Sequence, residues 1–230
     1  VVINFRSPNP KSIVAKGLKV WFSCDQYTVG DYRQFAPTMD KIVCISDFHK
    51  QYFMEHYGIL HATKIDLPVR VHDWHGLDIE KRKNSLIFTS VPDRGLSFMR
   101  EAWNRIKADV PDAFLTITSD YRLWGLGEPR NDKFRMDWVG VEDVMFLGAV
   151  PRKRLITEQL QADIFAYPCI YDELFCVSLA EAQCCGAYPV TSDVGALDTT
   201  NIGTRVSGNP SNNRGRFVKI FCDEIVMLMT

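Results

Sequence analysis

Short runs of β-branched and apolar residues alternate with segments of helical pattern along almost the whole chain of 230 residues. This alternation predicts an α/β protein with mainly parallel sheets, because each helix returns the chain to the same end of its sheet. Ligands of such sheets bind beyond the carboxyl ends of the strands. The loops that follow Thr89, Leu147, Tyr167 and Thr191 are therefore where we expect the functional residues.

A polar and charged stretch, HDWHGLDIEKRK at 72–83, interrupts the alternation once. It predicts two domains, at 1–75 and 84–230, joined by a linker at 76–83. We expect the first domain to be incomplete, since the chain opens on Val1-Val2-Ile3 in an apparent strand and has no initiator Met. Its predicted elements are strands at Val1–Phe5, Lys19–Cys24, Lys41–Ile45 and Lys64–Val71, and a helix at Asp47–Tyr57 between a Ser46 cap and Gly58.

The second domain is predicted to repeat the pattern with longer elements. A Pro in the first turn of one helix and a Gly after another support their bounds. The predicted strands are Ser85–Thr89, Phe114–Thr118, Val144–Leu147, Ile164–Tyr167 and Tyr188–Thr191. The predicted helices are Leu96–Ala108, Pro151–Gln161, Cys176–Cys185 and Phe217–Leu228.

Composition excludes several classes of protein. The 27 Lys and Arg against 28 Asp and Glu give a net charge of -1, which argues against a nucleic-acid binder that relies on a basic surface. No apolar run approaches the roughly 18–20 residues of a transmembrane helix. The seven cysteines lack a CxxC pair, which favours free thiols in a cytosol-like compartment. His72 and His75 lack neighbours that would complete a metal site, so we expect no bound metal.

The most informative stretch is 167–190, where an apolar strand leads into a turn with Asp172 and Glu173 and then into a helix that carries Glu181. We expect the backbone N–H groups around Leu174–Val177, at the helix start, to lack partners within the helix and to lie at the positive end of its dipole. Such a terminus is suited to a diphosphate. The alternative is that the two turn acids only cap the helix while Glu181 is solvated.

This stretch and the residues before it resemble the nucleotide-sugar domain of retaining GT-B glycosyltransferases, the large family 4 group. The resemblance rests on a combination of motifs over about a fifth of the chain. A segment near residue 45 also resembles the last helix entry of the acceptor domain. The matching residues are Phe146-Leu147-Gly148-Ala149-Val150, Ala162-Asp163-Ile164-Phe165 with Pro168, Glu173, Glu181-Ala182, Gly186, Pro189-Val190 and Cys44-Ile45-Ser46-Asp47-Phe48.

The resemblance implies a role for each part of this stretch. Glu173 would bind the hydroxyls of the donor sugar, Glu181 would bind the ribose, and the loop at Gly148–Val150 would lie against the nucleobase. Where the family has G-F-G, this chain has Leu174-Phe175-Cys176, which narrows the room for backbone approach to the phosphates. The predicted donor-binding residues are Gly148, Val150, Leu174, Phe175, Cys176, Val177, Ser178 and Glu181.

Arg94 follows the strand that ends at Thr89. A guanidinium can grip a diphosphate with two hydrogen bonds and stabilise charge on a departing phosphate. The family places Arg and Lys-Gly in this loop. Aligned on Gly95, Arg94 takes the Lys position and Thr89 that of the Arg, and 152–154 supplies further basic residues by charge only. We predict Arg94 and Glu173 as the catalytic residues. The alternative for Arg94 is a surface ion pair.

The resemblance implies a glycosyltransferase that moves a sugar from a nucleotide-diphosphate donor to an acceptor hydroxyl, with retention of configuration and without a metal or other cofactor. The acceptor, whether glycan, lipid or small molecule, is open. The alternatives are a nucleotide-binding module without transfer activity and a nucleotide-sugar epimerase. We expect a cytoplasmic protein, with the membrane surface left open as its location.

Overall fold

The computed structural model describes residues 1–25, 32–125 and 129–230. The chain divides into two compact units. The first unit comprises Val1–Pro68 and Asp172–Cys176, and the second comprises Val69–Tyr171 and Val177–Thr230. Both units are built on parallel sheets, so the predicted α/β class is confirmed.

In the first unit, four parallel strands follow one another across the sheet in chain order. The helix α1 (Asp47–Tyr57) follows the third strand, with Ser46 Oγ accepting from the His49 N–H and a left-handed Gly58 after its last turn. This helix and both of its ends were predicted, and the structure confirms them. The strands are β1 (Val2–Phe5), β2 (Lys19–Phe22), β3 (Lys41–Cys44) and β4 (Thr63–Lys64).

The predicted strand at Lys64–Val71 is wrong. Pairing stops after Thr63 and Lys64, which lie beside Val43 and Cys44 of β3. Asp66 is exposed, and Pro68 has no N–H with which to continue a ladder. The boundary between the units also differs from the predicted one, because Val69–Tyr171 belongs to the second unit.

The second unit contains a six-stranded, fully parallel sheet in the order β10-β9-β8-β5-β6-β7. Its helices include α2 and α7, which pack together. The strands are β5 (Arg82–Thr89), β6 (Phe114–Thr118), β7 (Val144–Phe146), β8 (Ala162–Tyr167), β9 (Tyr188–Ser192) and β10 (Thr204–Val206). The helices are α2 (Leu96–Asp109), α3 (Pro129–Met136), α4 (Arg152–Gln161), α5 (Val177–Cys184), α6 (Leu197–Thr200) and α7 (Arg214–Met229).

This strand order has a switch point between β5 and β8. From β5 the chain proceeds to β6 and β7 on one side, and from β8 it proceeds to β9 and β10 on the other. The two connections that leave β5 and β8 therefore diverge, which leaves a crevice at their carboxyl ends. Ligands of open α/β sheets bind in such crevices. The order of the strands therefore predicts a binding site at the residues after Thr89 and Tyr167.

The seven cysteines, all of which the structure describes, are outside disulfide bonds, and five of them are buried. Burial raises the pKa of Cys44 to about 12, so this thiol stays protonated and behaves as a core residue. Within the ranges that the structure describes, no helix is long and apolar enough to cross a membrane.

Candidate donor site

Arg94 lies at the switch point of the second unit. It ends a short 3-10 turn, Pro92–Arg94, that follows β5. Its guanidinium carbon lies 3.4 Å from the centre of the Tyr171 ring, in the loop after β8. A cation this close to the face of an aromatic ring is attracted by it. The contact holds Arg94 over the carboxyl ends of the two central strands.

Gly95 allows this arrangement. Its φ is +124°, and a Cβ built on it would lie 2.2 Å from the carbonyl oxygen of Pro168. No side chain fits at that distance, so the turn after β5 approaches the end of β8 only because residue 95 is glycine. Ser90 Oγ and the Tyr167 hydroxyl, 3.1 Å apart, form a second link between the same two strand ends.

A buried carboxylate organises the edge of the sheet beyond β6. Asp120 is fully buried, and its Oδ2 accepts from Arg122 Nη2 at 2.6 Å and lies 3.5 Å from Arg135 Nη2. The same oxygen accepts from the backbone N–H of Ala149 at 3.1 Å. Asp120 therefore fixes the loop at Gly148–Val150, in which Gly148 is buried and Val150 is half-buried.

Glu181 is also buried, with 7% of its surface exposed, although it lies within α5. Its Oε2 accepts a hydrogen bond of 2.8 Å from Arg152 Nη1, and Arg152 Nε donates to Asp73 Oδ2 at 2.9 Å. The alternative of a solvated Glu181 is thereby excluded. Arg152, one of the basic residues at 152–154, is matched by two carboxylates and is not a spare cation for a diphosphate.

The remaining predicted residues precede α5 or begin it. Leu174 and Cys176 are buried, Glu173 and Phe175 are half-buried, and Cys176 has a left-handed backbone with φ +69°. Val177 and Ser178 are the first two residues of α5. Because Asp172–Cys176 belongs to the first unit, the placement of Glu173–Cys176 against Arg94 and Glu181 stays a prediction, as do the roles of all the predicted site residues.

Sequence reasoning missed several residues that shape this edge. Tyr171 lies within the stretch that was singled out, and an aromatic residue just after a strand end was the available signal. Asp120 follows β6, and the loop after this strand was not among those in which functional residues were expected. Asp73 and Trp74 were assigned to the first domain, and nothing in the local sequence connects them with Arg152. Among the described residues, no group of three His, Cys, Asp or Glu side chains could hold a metal ion.

Comparison of the sequence with protein families finds a match over residues 78–204, more than half of the chain, to the family described as glycosyl transferases group 1. A search among curated protein sequences returns no match.

Solved structures share the fold at low sequence identity. A glycosyltransferase from Rickettsia africae aligns with a TM-score of 0.71 and 15% identity over 100% of this chain and 70% of that one. The pneumococcal O-GlcNAc transferase GtfA, in complex with UDP and GlcNAc, gives 0.61 and 13% over 88% of this chain and 40% of that one. A UDP-forming trehalose-phosphate synthase from Burkholderia vietnamiensis gives 0.66 and 12%, over 96% and 62%.

The chain spans 40% of GtfA, so it corresponds to part of that protein. The structural likenesses show the GT-B fold, with its two parallel-sheet units, and the family match covers the switch point, the Gly148–Val150 loop and α5. The chain belongs to the glycosyl transferases group 1 family.

Proposed function

We propose that this chain binds a nucleotide-diphosphate sugar at the switch point of the six-stranded sheet and transfers the sugar to an acceptor hydroxyl. The observation that carries the proposal is the stacking of Arg94 on Tyr171, which holds a guanidinium over the carboxyl ends of β5 and β8. Diphosphates are bound at this position of open α/β sheets. Membership of the glycosyl transferases group 1 family supports the same chemistry.

The proposed electrostatics follow from the geometry of a guanidinium. The guanidinium carbon of Arg94 lies over the Tyr171 ring, and phosphate oxygens are hydrogen-bonded by the N–H groups in the plane of a guanidinium. The backbone N–H groups at the start of α5, from Val177, add positive potential. Negative charge that develops on the leaving diphosphate is then stabilised by groups already in position, in a reaction without a metal.

The finer features of the proposal come from the family resemblance. Retention of configuration is expected through attack on the same face of the sugar, assisted by the leaving phosphate, and Glu173 is proposed to bind the sugar hydroxyls. UDP is the first nucleotide to test, because GtfA was crystallised with UDP and GlcNAc and the trehalose-phosphate synthase is described as UDP-forming. The acceptor is open, and a cytoplasmic location stays a prediction.

The test is slow hydrolysis of the donor, with water as the acceptor. The protein is incubated with UDP-glucose, UDP-GlcNAc, GDP-mannose or ADP-glucose, and the free nucleotide is measured by chromatography. Arg94→Ala should lower the rate by on the order of 10²–10³, the usual effect of removing one group that stabilises transition-state charge. Glu173→Ala should lower it as well.

Matched controls separate this effect from a general loss of charge. Arg105, near the carboxyl end of α2, forms an exposed ion pair with Asp223, and Glu142 is exposed in the loop before β7. Arg105→Ala and Glu142→Ala should retain the wild-type rate. A wild-type rate in Arg94→Ala would contradict the proposal. Binding of nucleotide without release of product would favour the binding module, and recovery of an epimerised donor would favour the epimerase.

A further inference from the structure

The cluster formed by Asp73, Arg152 and Glu181 joins two sheltered carboxylates through one guanidinium. Arg152 begins α4 and bridges the two carboxylates, so the cluster carries two negative charges and one positive charge. The side chains of Asp73 and Glu181 are only 11% and 9% exposed. Asp73 has a second basic partner, the exposed Arg70, whose Nη2 lies 3.4 Å from Oδ1. Among the described residues, Glu181 is paired with Arg152 alone, so loss of Arg152 would leave a sheltered carboxylate without its cation.

Asp73 is held in place by the packing of its own segment. It ends a 3-10 turn, Val71–Asp73, and the next residue, Trp74, is buried against Ile156 and Cys185. The guanidinium carbon of Arg152 lies 5.8 Å from the centre of the Trp74 ring. Arg152 is therefore fixed from one side by a carboxylate and an indole that are themselves anchored in the core of the second unit.

Glu181 is fixed by this arrangement through one oxygen. Arg152 donates to Oε2, and within the part of the chain that the structure describes no donor to Oε1 is recorded. A carboxylate offers about four lone-pair sites, so a single hydrogen bond leaves capacity for further donors. Two neighbouring hydroxyl groups, such as those of a ribose, can donate to this remaining capacity when the plane of the carboxylate is fixed.

We propose that Arg152, locked by Asp73, is a positioning residue that orients the carboxylate of Glu181 toward the two ribose hydroxyls of the donor and so makes the site prefer ribonucleotides to 2′-deoxyribonucleotides. The inference rests on the proposed function, in which Glu181 binds the ribose. It goes beyond that function by assigning the source of sugar selectivity to a pair of residues 79 positions apart in the chain.

The test compares affinities for UDP, GDP and ADP with those for their 2′-deoxy forms, measured by isothermal titration calorimetry. For the best-bound base, the wild type should prefer the ribonucleotide by about tenfold or more, as expected for a hydrogen bond to a charged group. Arg152→Gln should reduce this preference to below about threefold by weakening ribonucleotide binding alone. Arg105→Gln, which removes the same charge elsewhere, should leave the preference unchanged.

Two further variants keep the outcomes distinct. Arg152→Lys retains the charge but cannot bridge both carboxylates with the same geometry, and should show an intermediate preference. Asp73→Asn weakens the ion pair that holds Arg152 on the side away from Glu181. If Arg152→Gln fails to fold, this variant tests the positioning role of Arg152 in its place. An Asp73→Asn preference equal to the wild-type value would then overturn the inference.

Glu181→Gln separates this inference from the proposed function. If the wild type binds none of the nucleotides, or if its preference survives in Glu181→Gln, the proposed placement of the donor fails. If the preference is lost in Glu181→Gln but retained in Arg152→Gln and Arg152→Lys, the donor site stands and the positioning role of Arg152 is overturned. An equal loss for ribose and deoxyribose forms in Arg152→Gln would likewise show a merely structural role.

Discussion

Two strand-to-helix junctions of this chain differ in how closely their residues follow the preferences of amino acids for helix caps, left-handed positions and helix interiors. At the junction of β3 and α1, Ser46 caps the start of the helix, and the left-handed position after the last turn of α1 is Gly58. At the junction of β8 and α5, the left-handed position is Cys176, with φ +69°, and the helix buries Glu181. The first junction stabilises the fold, whereas the second departs from the preferences that stabilise helices. Such departures are expected where function imposes its own requirements.

The sharpest test of the first junction is its response to pH. Burial lowers the pKa of His49, whose Nδ1 accepts from the N–H of Ile45, from 6.5 to about 4. Between these values the unfolded chain binds more protons than the folded one, so the free energy of unfolding should fall as the pH falls. The expected loss between pH 6.5 and pH 5 is about 1.5 kcal/mol, measured by urea unfolding.

A substitution assigns this pH dependence to His49. His49→Gln keeps an acceptor for the Ile45 N–H but cannot titrate, so its unfolding free energy should lack this part of the dependence. The exposed His61, changed to Gln, should behave as the wild type. Equal slopes in the wild type and His49→Gln would contradict the account of a buried neutral histidine at this junction.

A smaller effect is expected from the cap of α1. Ser46 Oγ accepts from the His49 N–H at 3.0 Å, and loss of this bond in Ser46→Ala should cost about 1 kcal/mol of stability. Ser46→Thr retains the acceptor and should lose less. Donor hydrolysis by the folded protein should be unchanged in both variants, since the junction is proposed to serve stability. A large loss of hydrolysis in Ser46→Thr would contradict the proposal that the β3–α1 junction serves stability alone.

An effect of similar size concerns the backbone of the second junction. A left-handed conformation costs an L-residue other than Gly about 1 kcal/mol, so Cys176→Gly should be more stable than Cys176→Ala by about that amount. Both variants lose the thiol, so their difference isolates the backbone, and thermal unfolding measures it. Ala180→Gly in α5 should have the opposite sign, because glycine weakens a helix interior. Equal stabilities of Cys176→Ala and Cys176→Gly would show that the left-handed backbone at residue 176 is not strained.

The sequence predicted best where the signals are local. The bounds of α1 follow from Ser46 and Gly58, and β6 (Phe114–Thr118) is confirmed residue for residue because it is a short apolar run between turns. Prediction failed at 64–71, where β-branched residues suggested a strand that Asp66 and Pro68 do not support. It also missed α3, in which half of the residues are charged and no apolar stripe is present, and β10, a three-residue edge strand.

The candidate site likewise combines residues that local sequence predicts with contacts that it does not predict. Arg94 and the stretch with Glu173 and Glu181 were predicted as site residues because they follow strands, where α/β sheets bind ligands. The contacts that shape them were not, because they join residues far apart in the chain: Arg94 with Tyr171, and Arg152 with Asp73. Such pairs depend on the order of strands in the sheet, which the order of residues does not specify.

Hydrogen–deuterium exchange with and without UDP, GDP or ADP tests the central claim most directly. If the switch point binds a nucleoside diphosphate, one nucleotide should slow exchange at 91–96, 148–150 and 174–181. At a hundred times its Kd, it should stabilise the folded protein by about 2.7 kcal/mol. Amides of α1 that exchange through local opening should keep their original rates. Amides that exchange only through global unfolding should slow with the rest of the protein. Protection confined to the α1 junction, or no protection with any of the three nucleotides, would contradict the account.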